Sequence, residues 1–176
     1  MSNLRLINET TVSSSVSSVD VTDVFSADFD IYKITVANLT MASAVTGQFT
    51  LRYINSSGSV ISAGNYDYAS LQLRANASFE EKRATNDTES QFLVRTYNSP
   101  KIASITGYVF NPNNSSSYTF ALWQSAGMVN TNLAGNQKGI SVLKQTNTIT
   151  GYQLRDVSSQ NFDEAVIRTY GLRVDS

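Results

Sequence analysis

The chain has neither histidine nor cysteine in its 176 residues. Without histidine, a Ser-His-Asp or Cys-His nucleophile cannot be assembled. A histidine-ligated zinc or non-haem iron site is excluded as well. Without cysteine there is no disulfide framework and no thiolate metal site, which fits assembly in a reducing cytoplasm. There is also no glycine-rich phosphate loop and no dinucleotide fingerprint. Thirteen Lys and Arg against fourteen Asp and Glu leave a net charge of −1. No basic block stands out, so the footprint of a nucleic-acid binder is missing. No apolar run approaches the roughly 20 residues that a membrane-spanning helix needs. The start, Met1-Ser2-Asn3-Leu4-Arg5, lacks the charged region and apolar stretch of a secretory signal. These absences predict a soluble protein with no cofactor, acting on neither nucleic acid nor membrane.

About a third of the chain is Ser, Thr and Asn, while prolines number two. Ser, Asn and Gly serve turns; Thr, Tyr, Val and Ile serve strands. Alternation with period two recurs throughout. It runs through Val16 to Phe25, through Phe29 to Val36 with a shift of register that suggests a bulge, and through Gln48 to Ile54. Asn55-Ser56-Ser57-Gly58-Ser59 reads as a turn, with Val60-Ile61 beginning a return strand. Ser70 to Leu73 is short and alternating, whereas Phe79 to Ser90 is charged and predicted as a loop or short helix. Strands are expected again at Gln91 to Tyr97, Ile105 to Phe110 and Tyr118 to Trp123, the last two joined by the Asn111-Pro112-Asn113-Asn114 turn. Ala126 to Gly139 reads as a long loop. Three closing strands follow at Ile140 to Lys144, Ile149 to Leu154 and Ala165 to Val174, with Asn147 and Asp163 marking the turns between them. Nine or so short strands without a crossover helix predict an all-β fold, an antiparallel, jelly-roll-like β-sandwich. Residues 16–176 form its single domain, and residues 1–15 form an N-terminal arm or first strand.

Carboxylates are the chemistry left for catalysis, as in glycoside hydrolysis. Glu80 with Glu81, and Asp163 with Glu164, are sequence neighbours. Neighbours on a strand point to opposite faces, so neither pair makes a dyad. No catalytic residue and no enzymatic activity are therefore expected. Asp20, Asp23, Asp28 and Asp30 offer the oxygen ligands that calcium prefers, but their spacing matches no EF-hand loop, and the preferred reading is of solvated residues at strand ends. Tyr66, Tyr68, Tyr97, Tyr108, Trp123 and Tyr152 are candidates for stacking on a sugar or lining an interface, against a role in the core. Tyr66 and Tyr68 stand out because Gly64-Asn65-Tyr66-Asp67-Tyr68 looks like a loop entering a short strand. In the N-terminal arm, Leu4, Leu6 and Ile7 form one apolar patch suited to docking on a partner subunit by strand addition. Such an arm should be removable without loss of the fold.

Several segments together carry a resemblance: Asp20-Val21-Thr22-Asp23-Val24-Phe25, Phe29-Asp30-Ile31-Tyr32-Lys33, Arg52 to Gly58, Asn65-Tyr66-Asp67-Tyr68-Ala69, Phe110-Asn111-Pro112, Ile149-Thr150-Gly151 and Ile167-Arg168-Thr169-Tyr170-Gly171-Leu172. Over most of its length the chain resembles small virion structural proteins of marine and cyanobacterial tailed phages. The resemblance implies a small jelly roll built into a phage particle, with other virion proteins as partners, a major capsid protein or a tail component. It brings no defined site residues. Decoration or cementing of the capsid surface is the first expectation, with a homo-oligomer such as a trimer around a symmetry axis. The alternative is a tail-associated adhesin, at a fibre or spike tip, that binds a host-surface glycan or protein. The chain has neither the heptads nor the β-helical repeat of a fibre shaft, which favours a compact attached module.

Overall fold

In the computed structural model, which describes residues 3–76, 79–130 and 132–173, the alternating segments form twelve strands and no helix. They are β1 (Leu4–Val12), β2 (Ser18–Val21), β3 (Ile31–Met41), β4 (Gly47–Asn55), β5 (Tyr66–Arg74), β6 (Glu80–Asp87), β7 (Ser90–Thr96), β8 (Ala103–Phe110), β9 (Thr119–Met128), β10 (Ala134–Leu143), β11 (Ile149–Asp156) and β12 (Phe162–Leu172). Every ladder between them is antiparallel. One sheet has eight strands in the order β1-β12-β3-β8-β9-β10-β5-β6, and the other has four in the order β2-β11-β4-β7. The result is the expected β-sandwich, and one core is shared between the sheets.

The core follows from the period of two. On β3, Tyr32, Ile34 and Val36 are buried, while the residues between them are half-buried. They meet Phe49, Leu51 and Tyr53 of β4 and Tyr152 and Leu154 of β11. Phe49 packs edge-on against Phe162 at 5.1 Å between ring centres. Two of the buried tyrosine hydroxyls find partners across the gap, whereas that of Tyr53 has none among the described residues. The Tyr66 hydroxyl accepts from the Tyr53 N–H at 2.9 Å and donates to the Ile61 carbonyl at 3.0 Å. The Tyr152 and Thr169 hydroxyls meet at 2.8 Å.

Five local expectations are corrected. The expected loop or helix at 79–90 contains the edge strand β6, whose Glu80 and Lys82 share one face and Glu81 and Arg83 the other. Charged residues suit an edge because they discourage pairing with another chain. The expected loop at 126–139 is mostly strand, the end of β9 and the start of β10. Its inward strand positions are Gly127, Gly135 and Gln137, so the apolar half of the alternation is missing from the sequence. The return strand after the Asn55 turn shrinks to one bridge between Ile54 and Val60, and Asp163 lies within β12. In β3 the register changes after Val36, next to Asn38 with its φ of 56°, and not within 29–36. Asn is among the few side chains that accept this left-handed conformation.

Of the two readings of residues 1–15, a separable arm or a first strand, the structure forms the strand. β1 pairs with β12 from Leu4 to Val12, with a bulge between Leu6 and Asn8. Val12 lies in the core, and Ile7 packs against it. β1 thus forms one edge of the large sheet and β6 the other.

Trp123 takes its place because its neighbour on β8 is Gly107. A Cβ at Gly107 would stand 1.9 Å from the indole. Gly107→Ala is expected to cost roughly 1–3 kcal/mol through overpacking, read from urea unfolding followed by Trp123 fluorescence. Removal of residues 1–12 is expected to lower stability by at least about 2 kcal/mol, since it uncovers Ile7 and Val12 contacts and the β12 ladder. An unchanged melting curve would show that β1 is dispensable to the fold.

Candidate functional site

The two outer faces of the sandwich differ in chemistry. On the four-stranded sheet, Glu89 is almost fully buried between two guanidinium groups, Arg52 at 3.1 Å and Arg155 at 2.7 Å. Beside them Gln153 donates to Asp20 at 2.8 Å, and Arg155 donates to Ser159 at 2.7 Å. This face is polar and internally paired.

The eight-stranded sheet presents the opposite. Register places one outward residue from each strand in a single row: Leu6, Tyr170, Lys33, Tyr108, Leu122, Ile140, Ala69 and Arg83. A second row beside it runs Leu4, Leu172, Ile31, Phe110, Phe120, Val142 and Asp67. The next row on the other side is mainly polar, with Arg168, Thr35, Thr106, Gln124, Lys138, Leu71 and Glu81. An apolar band two residues wide therefore runs from β1 to β5, broken by Lys33 on β3 and ended by Asp67 on β5 and Arg83 on β6. Ile140 is 65% exposed and Phe120 46%, values that a core position would not show. Over β9, β10, β5 and β6 the band sinks into two adjoining hollows of about 770 and 650 Å³, which share Ala69, Arg83, Leu122 and Ile140. Contiguous exposed apolar surface of this kind marks interaction sites in soluble proteins.

The residues singled out in the sequence divide accordingly. Leu4 and Leu6 belong to the band, at its β1 end, and Leu6 is half exposed. Ile7 turns to the core side. Tyr66, Tyr68 and Trp123 are buried, and the reading of them as an interaction surface is corrected. Tyr66 and Tyr68 fall on the inner-facing positions of β5, and Trp123 lies over Gly107. Burial pushes the hydroxyl pKa values of Tyr53, Tyr66 and Tyr152 well above the ordinary tyrosine range. Of the six aromatic candidates, Tyr108 is the one in the band. Tyr97 is half-buried, donates to the Ala44 carbonyl at 2.8 Å and lies under Lys101. Phe120, Leu122 and Ile140 were missed because each sits in a strand that also supplies the core. Only strand register shows which alternate set faces outward.

Asp20, Asp23, Asp28 and Asp30 are all exposed, and no group of three or more Asp and Glu able to hold a metal ion occurs among the described residues. Glu80 is engaged by Lys82 and Arg74, and Asp163 accepts from Thr40 at 2.8 Å. At the end of the band, Asp67 accepts from Lys144 at 2.8 Å and from the Asn86 N–H at 2.9 Å. The Lys144 hydrogen bond, then that from Asn86, hold its carboxyl below the usual aspartate range.

No protein-family model matches this chain, and neither does any curated protein. Among solved structures the chain is similar to the exo-inulinase of Aspergillus awamori, with a TM-score of 0.45 and 10% identity over 96% of this chain and 29% of that one. It is also similar to the exoplasmic/lumenal domain of VIP36 in its Ca2+/Man3GlcNAc-bound form, with a TM-score of 0.37 and 9% identity over 96% of this chain and 85% of that one. A third is the CBM2 module of the evolved Dit of Lactobacillus casei BL23 phage J-1, with a TM-score of 0.26 and 8% identity over 90% of this chain and 70% of that one. The chain spans less than a third of the exo-inulinase it matches. At these identities the likeness concerns the layered β architecture alone.

Because its pKa is depressed in the folded state, Asp67 stabilises the fold above the ordinary aspartate value near 3.9. That contribution is lost as pH falls through the depressed value. Asp67→Asn is expected to flatten the acid limb of a plot of urea midpoint against pH by lowering the midpoint at neutral pH, while the two proteins converge at the acid end where Asp67 is protonated. An identical acid limb in both proteins would show that the Lys144 pair adds nothing.

Proposed function

We propose that this chain is a non-catalytic structural component of a bacteriophage particle, fixed to another virion protein through the outer face of its eight-stranded sheet. The observation that carries the reading is the exposed band from Leu6 to Ile140. Burying exposed aliphatic groups is worth about 25 cal/mol per Å² removed from water. A folded protein that keeps such a band outside its own core gains that energy only by association. The polar, ion-paired outer face of the four-stranded sheet then points to solvent. The resemblance to small phage virion proteins supplies the setting, and decoration of the capsid surface is the role that a compact module with one adhesive face fits best.

The floor of the band favours protein over glycan as the occupant. Leu122, Ile140, Val142 and Ala69 offer methyl groups, and the hydrogen-bonding side chains of Asp67, Arg83 and Thr85 stand at the margin on β5 and β6, with Asp67 already held by Lys144. A sugar site needs polar groups placed to meet hydroxyls, since those left unpaired on burial are costly.

Mass spectrometry and cryo-EM of purified particles from the phage that encodes the chain test the proposal. The expected result is density in many copies on the shell, with the eight-stranded sheet turned inward. Absence of the chain from purified particles would overturn the reading. Ile140→Glu is expected to lower incorporation by about tenfold or more, since each 1.4 kcal/mol of lost binding is a factor of ten. Circular dichroism should be unchanged, because the side chain is exposed and exposed substitutions shift stability by about 0.5 kcal/mol or less.

A further inference from the structure

The charges around the band are not balanced. Lys33 stands within the first apolar row, Arg83 ends it, and Lys138 stands in the row beside it. Among the described residues none of these three cations forms an ion pair, whereas Arg52, Arg74, Lys82, Lys144, Arg155 and Arg168 all do. Two acids of the face are taken: Glu9 is held by Arg168 at 2.6 Å and Asp67 by Lys144 at 2.8 Å, which leaves Glu81 on β6 and, near the start of β12 and away from the hollows, Glu164. The chain as a whole is slightly acidic, so this cationic excess is local.

The spacing of the cations bears on what they meet. Lys33 on β3 and the column of Lys138 on β10 are three strand spacings apart, about 14 Å. Groups this far apart do not converge on one phosphate or one compact anion. They frame an apolar floor, and three cations without a continuous track suit a nucleic-acid backbone poorly. A protein surface with dispersed carboxylates around apolar side chains matches both the floor and the frame.

We infer that the outer face of the eight-stranded sheet docks an acidic, apolar surface of another protein. Its aliphatic or aromatic side chains enter the hollows between Phe120 and Ile140, and its carboxylates face Lys33, Arg83 and Lys138. The inference rests on the attachment reading above and specifies the partner's chemistry.

The test uses two synthetic peptides of about ten residues, one alternating leucine with glutamate and one alternating leucine with lysine, and the full chain. Fluorescence anisotropy should show the glutamate peptide bound about tenfold more tightly at low salt, a preference that shrinks as added salt shortens the screening length. The variant K33E/R83E/K138E should lose or reverse that preference. Failure of the glutamate peptide to bind, or equal binding of both peptides, overturns the inference. Particle incorporation separates it from the attachment reading. If Ile140→Glu is excluded from particles while K33E/R83E/K138E enters at the wild-type level, the face docks but its partner is not acidic, and only the inference falls. If both variants enter normally, both readings fall. Self-association of the chain that salt and the triple variant abolish would replace the separate partner with a second copy.

Discussion

The hydroxyl of Tyr66 joins the backbone of the small sheet to the side chains of the large one, and much of the sandwich is arranged around that contact. It takes the Tyr53 N–H from β4 and gives its own proton to the Ile61 carbonyl just beyond the Asn55 turn. Its ring stacks on Tyr53 with 6.2 Å between centres. Tyr152 does similar work further along, reaching Thr169 of β12. Tyr32 closes the β2–β3 connection by donating to the Ser26 carbonyl. A buried phenol brings a large apolar ring and one polar group, and the ring's burial is useful only where that group finds a partner. In a chain without disulfides, these tyrosines fix where the sheets sit on each other. They also fix which set of residues is left outside.

How far the sequence was legible follows from this division. Alternation revealed strands wherever one set of alternate residues was apolar, as in Phe49-Thr50-Leu51-Arg52-Tyr53. It failed on β6, where both faces carry charge, and near the start of β10, where the inward residue Gln137 is polar. The candidate surface was read least well. Tyrosine and tryptophan are the usual surface anchors, so Tyr66, Tyr68 and Trp123 drew attention. Their inward direction depends on ladder partners far away in sequence. Leu4, Leu6 and Ile7 read as one apolar patch, of which Leu6 is half exposed, Leu4 half-buried and Ile7 turned to the core. The continuation of Leu4 and Leu6 into Tyr170, Tyr108, Leu122 and Ile140 is visible only once β1, β12, β3, β8, β9 and β10 lie side by side.

The unequal width of the sheets explains why one outer face is sticky and the other is not. Four strands already sandwich the core with Glu89, Arg52 and Arg155 packed on their far side, where the ion pairs satisfy one another. Pairs this enclosed offer little to a partner, because breaking them costs more than new contacts return. The eight-stranded sheet has no such covering. Its outward residues include aliphatic and aromatic groups at positions where a soluble monomer would carry threonine or lysine, and the concavity over β9, β10, β5 and β6 shapes them into a seat.

The two rims of the large sheet also differ, and this limits how such molecules can join. At one rim β6 carries Glu80, Glu81, Lys82 and Arg83, with Glu80 tied to Arg74 and Lys82. At the other, β1 offers nine residues without proline and with only Arg5 and Glu9 charged. Through the large sheet, backbone pairing between molecules is therefore open from one side only. Two copies meeting through β1 would use up both free rims and present charged ones outward, so the ladder ends at sixteen strands, twice the eight of one sheet. A ladder that extends without end through the large sheet needs two adhesive rims on it, and that sheet has one.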